Sequence, residues 1–98
     1  MGYELRLIGS AQGDHVTDLC TNGGWSDLCH WADSLPDDYP AVKAFAAVSR
    51  CSDTAVLVDQ LNRAIADHPP APPDVLHTAN RLADLLGVGA ANETAIVA

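Results

Sequence analysis

The two ends of this chain are patterned as β-strands and the stretch between them as helices, which limits the folds open to it. Tyr3-Glu4-Leu5-Arg6-Leu7-Ile8 places Tyr3, Leu5 and Leu7 on one side and Glu4 and Arg6 on the other, the period-two pattern of a half-buried strand. Glu93-Thr94-Ala95-Ile96-Val97-Ala98 also reads as a strand. His15–Thr21, rich in β-branched residues and preceded by the turn-like Ser10-Ala11-Gln12-Gly13-Asp14, is a candidate hairpin partner for the first. A two-stranded ribbon is marginal alone, so these segments are expected to share one sheet covered by helices, with the termini as neighbours. The expectation is a single α+β domain over 1–98, with four short helices packed on a two- or three-stranded sheet formed by the N- and C-terminal strands.

Four segments carry helical periodicity. After the turn-like Asn22-Gly23-Gly24, Ser26 is a good N-cap, and Leu28, Trp31, Ala32 and Leu35 follow i, i+3, i+4, i+7 until Pro36 stops the helix. That stripe assigns Trp31 to the core. Trp25, just before the cap, staples onto the first turns or stands exposed as an interface anchor, the staple being favoured. Pro40 opens a second helix ending near Arg50, with Val42, Phe45, Ala46 and Ser49 on one face. Ser52 and Asp53 provide a cap and a first-turn acid for a third, whose apolar face is Leu57, Val58, Leu61, Ala64 and Ile65, with Asp59 and Arg63 spaced as an i, i+4 pair. The prolines of His68–Pro73 end it and connect to a fourth helix, with Val75, Leu76, Ala79, Leu82, Ala83 and Leu86 inward and Gly87 as a left-handed stop.

A net charge of −8 argues against direct contact with a nucleic-acid backbone or an anionic membrane, which basic surfaces mediate, and no apolar run approaches the ~18 residues of a membrane span. Protein partners are expected, including a further copy of the chain. Three cysteines, an odd number, with no secretion signal at the start of the sequence, point to free thiols in a reducing cytoplasm.

Cys29 and His30 are neighbours on one helix and are expected to diverge, and Cys20 and Cys51 offer no C-x-x-C spacing, so neither a metal nor a cofactor is expected. Cys51 precedes a helix N-terminus, where thiol pKa values fall, but Asp53 beside it opposes that, and no catalytic residue is assigned. The Pro69-x-x-Pro72 spacing fits a connector better than a docking motif, and Gly87-Val88-Gly89 lacks the features of a phosphate loop. Most remaining polar positions serve as caps, turns and solvent faces. The functional expectation is a noncatalytic, acidic protein-interaction domain, with Trp25, Asp37, Asp38, Asp59 and Asp67 as candidate interaction residues. It would be a self-associating module, or an inhibitor or adaptor whose acids, Asp33 and Asp84 among them, imitate phosphates toward a basic partner. The alternative is a metal- or redox-active Cys/His protein.

Overall fold

The computed structural model describes residues 2–9, 15–88 and 94–98. The expected turn over 10–14, Gly89 and Glu93 lie outside them. The alternation at the N-terminus becomes β1 (Gly2–Ile8), in which Leu5 and Leu7 are buried and Glu4 and Arg6 exposed. β2 (His15–Thr21) returns antiparallel beside it. The helices follow as α1 (Asn22–Asp33), α2 (Pro40–Val48), α3 (Thr54–Asp67) and α4 (Pro73–Val88). Between α2 and α3 lies β3 (Arg50–Cys51), and β4 (Thr94–Val97) completes the order.

The sheet has four antiparallel strands in the order β2-β1-β4-β3. The first and last strands therefore pair at its centre, as the patterning at the two ends required. The fourth strand, β3, was not anticipated. Two residues carry no periodicity, and β3 arises because Ser49, in the left-handed region at φ 57°, ends α2 and redirects the chain along β4, whose Val97 N–H donates to the Ser49 carbonyl at 2.8 Å. Ser49 thus caps α2 instead of lying on its inner face.

One face of the sheet, carrying Leu5, Leu7, Leu19, Ala95 and Val97, joins the helices in a single core. Tyr3 opposes Cys20 and Glu4 opposes Asp18, so Leu19 is the extra residue of a β-bulge that turns both Leu19 and Cys20 toward the helices.

The first helix starts five residues earlier than expected. Thr21, not Ser26, is its N-cap, accepting from Gly24 N–H at 3.0 Å. Asn22-Gly23-Gly24 is consequently its first turn, and the two tryptophans exchange roles. Trp25, Leu28, Ala32 and Leu35 lie within about 80° of one another at 100° per residue, and this group is the buried stripe, leaving Trp31 on its flank. Trp25 is 6% exposed, 5.8 Å from Tyr3 and 5.9 Å from Phe45 between ring centroids, so it is not available as a surface anchor. Half-buried Trp31 donates its indole N–H to the His68 carbonyl at 2.8 Å, and Tyr39 meets the His68 ring edge-on at 5.8 Å. The proline-rich connector is pinned at its start by these two aromatics.

The third helix keeps its expected face, with Leu57, Leu61 and Ala64 buried and Val58 and Ile65 packed beside them. Asp53 itself is the cap, accepting from Val56 N–H at 3.3 Å. The fourth helix continues past Gly87 to Val88, so Gly87 is not its stop. A helical glycine costs only about 1 kcal/mol, and burial of Leu86 anchors that turn to the core.

Candidate interaction surface

The sequence-predicted interaction residues do not form one surface. Trp25 belongs to the core. Asp37 is fully exposed and 3.5 Å from Lys43, whose ammonium also donates to the Leu35 carbonyl at 2.7 Å. Asp38 is exposed beside it in the loop between α1 and α2. Asp59 pairs with Arg63 at 3.3 Å, the expected i, i+4 contact, both side chains remaining largely in water.

Asp67 is not a free surface acid either: its Oδ2 accepts from the hydroxyl of buried Tyr39 at 2.9 Å. Burial, and then the Asp67 hydrogen bond and charge, hold the Tyr39 phenol above its ordinary value, with Asp38 adding to the effect and Arg63 opposing it. A raised folded-state pKa gives a contribution that is complete below the unfolded value of about 10 and is lost as pH rises through the folded one. Stability should therefore fall on the alkaline side of about pH 10, and Tyr39→Phe should make that fall shallower in denaturant titrations between neutral pH and about pH 11. An unchanged alkaline slope in Tyr39→Phe would exclude this phenol as its source.

The three cysteines are free. Burial raises the thiol pKa of Cys29, and burial followed by the nearby Cys29 raises that of Cys20, so both favour the uncharged thiol. Cys29 and His30 were expected to diverge, but both border a shallow groove of about 290 Å³ with Ser26 and Asp33 of α1 and Lys43 of α2. Ser26, Cys29, His30 and Asp33 are spaced i, i+3, i+4, i+7, so they share a helix flank. The Cys29 thiol is directed to the Ala46 carbonyl at 3.5 Å. Among the described residues, no three His, Cys, Asp or Glu side chains are grouped to hold a metal ion.

A wide-open concavity of about 720 Å³ lies between β2 and the start of α4, with Tyr3, Cys20, Asp74, His77 and Arg81 on its walls. Two of its polar side chains are engaged with backbone. Thr78 donates to the Asp74 carbonyl at 3.0 Å, and Arg81 donates to the Asp18 carbonyl at 2.8 Å. Glu4 exchanges both its backbone bonds with Ala98, at 2.9 and 3.0 Å, so Asp18 opposite it directs its own groups to the outer edge of β2. There Arg81 covers a carbonyl that would otherwise be open to another strand.

The surface that sequence reasoning passed over is the second face of the sheet. Cross-strand partners share a face, so the pairs Arg6–Val16, Arg6–Ile96 and Arg50–Ile96 make one row, Val16, Arg6, Ile96, Arg50, across all four strands. Asp18 and Glu4 form the adjacent row on one side, and Ile8 and Thr94 lie on the other. No described helix covers this face: Val16 is 51% exposed, Ile8 36%, and Glu4, Arg6, Asp18 and Arg50 are all exposed. Two of the five cations of a chain with charge −8 therefore flank a half-buried isoleucine at its centre. The outward positions of β1 were legible from its alternation, but the row needed the register of three other strands.

Comparison with protein-family models, characterised proteins and solved structures gave no match. Among the described residues, no helix is long and apolar enough to cross a membrane.

Proposed function

We propose that this chain is a noncatalytic protein-interaction domain of a reducing, cytoplasmic compartment, and that its working surface is the open face of the sheet. The observation that carries this reading is the row Val16, Arg6, Ile96, Arg50: apolar side chains, uncovered by the domain's own helices and bordered by arginines, as in interface centres where arginine is enriched. The acids of the helical side have a different part. Asp67 supports Tyr39, Asp59 and Asp37 make exposed pairs, and their common charge keeps the helical side solvated while the sheet side associates.

Photo-cross-linkers at position 16 and at position 59, each in the native background and in Arg6→Glu plus Arg50→Glu, test it in cells. Adducts should form from position 16, disappear on charge reversal, and be absent from position 59. Adducts from position 59, with none from position 16 in a folded protein, would move the working surface to the helices and refute the proposal.

A further inference from the structure

Resting on that reading, we infer that the partner is a second copy of this chain, the two open faces stacking about a two-fold axis that crosses the strands at the level of Leu5. The face is electrostatically self-complementary. Arg6 and Arg50 stand in one row; Glu4 and Asp18 stand in the next, two residues away along the strands, about 7 Å. A two-fold axis between the rows reverses positions along the strands, so Arg6 of each protomer lies over Glu4 of the other with Asp18 beside it, and the contact is made twice.

Among the described residues these charges have no ion-pair partner: the ion pairs are Lys43–Asp37 and Arg63–Asp59, and none involves Arg6, Glu4 or Asp18. Elsewhere the chain is dominated by carboxylates, and two copies of charge −8 repel; among the described residues of this face two cations stand beside two carboxylates. A second copy sets the central Arg6 and Glu4 opposite each other twice, whereas a uniformly basic or acidic partner would oppose one of the rows.

Size sets the strength. Four strands about 4.8 Å apart, two of seven residues and the others of four and two, at about 3.3 Å each, give a footprint smaller than roughly 19 by 23 Å, below the size of stable interfaces and in the range of transient ones. Association is therefore reversible, with a dissociation constant on the order of 10–100 µM.

Sedimentation velocity of the full chain from about 5 µM to about 1 mM, a range bracketing that constant, decides it. The native protein should pass from a 10.3 kDa monomer to a dimer as concentration rises. Arg6→Glu and Glu4→Arg should each weaken association by about tenfold or more, since each sets like charges opposite across the axis. The double exchange, Arg6→Glu with Glu4→Arg, should restore it to within about threefold, because the opposed signs return with positions swapped. Far-UV circular dichroism confirms that every variant is folded; both sites are exposed, and only folded variants are scored. A native protein that stays monomeric, a dimer insensitive to either single exchange, or a folded double exchange without restoration would overturn the inference. Monomeric behaviour combined with charge-dependent adducts at position 16 would overturn the second copy alone and leave the open face as the working surface.

Discussion

Trp25→Ala should lower the free energy of unfolding by about 3–5 kcal/mol, a large share of the 5–15 kcal/mol typical of a domain. The indole is 6% exposed and sits between the rings of Tyr3, tilted at 41°, and Phe45, edge-on at 88°, so truncation removes buried area and two aromatic contacts together. Trp31→Ala should cost less, roughly 1–2 kcal/mol, because that ring is half-buried and the His68 carbonyl it leaves lies at an exposed residue that water can reach. Urea titrations of both variants, read at unchanged m-value, give the comparison directly. A larger loss for Trp31→Ala than for Trp25→Ala would show that the helix start at Asn22 is misplaced, since the rotation of the apolar stripe depends on Trp25 being helical.

The second large effect is expected at Phe45, the α2 residue that meets Trp25. Phe45 is buried, and the space it shares with Trp25, Leu28, Leu57 and Leu82 contains a void of only about 10 Å³ with an apolar lining. Phe45→Ala therefore opens a cavity the surroundings cannot fill, at a cost of about 3–5 kcal/mol. The two losses should not add. The edge-on contact itself should appear as a coupling of about 0.5–1.5 kcal/mol in a double-mutant cycle with Trp25→Ala, with Phe45→Leu giving a milder single loss by keeping most of the volume. Strict additivity would mean that the rings share a core without acting on each other.

Both effects concern the helical side of the sheet, and so locate the stability of the domain away from its proposed working face. Ile8, Val16, Arg6 and Arg50 are exposed and add little to the core, so they can be changed to test association with the fold intact. Asp67 does not have that freedom: an asparagine there would alter the group that accepts from Tyr39, and a binding change would be mixed with a change in the core.

The period-two pattern of β1, the stripe of α3 and, apart from Leu76, which lies outside the core, that of α4, the span of β2 and the connector after Asp67 were all determined by the sequence alone. Each is a local regularity in which chain position maps directly onto a buried or exposed side. The tertiary structure decided what depends on residues far apart in the chain. Thr21 and Ser26 are both competent caps, and only the packing of Trp25 against Tyr3 and Phe45 selects the earlier one. Asp67 looks like any solvent-facing acid until Tyr39, 28 positions away, places its hydroxyl 2.9 Å from it. Arg50 and Cys51 become a strand because β4 is there to pair with them. The open face is the clearest case: Arg6, Val16, Ile96 and Arg50 come from four separate segments, and a one-residue slip in any pairing would turn that strand's side chains to the other side, so the row exists only once the register of the sheet is set.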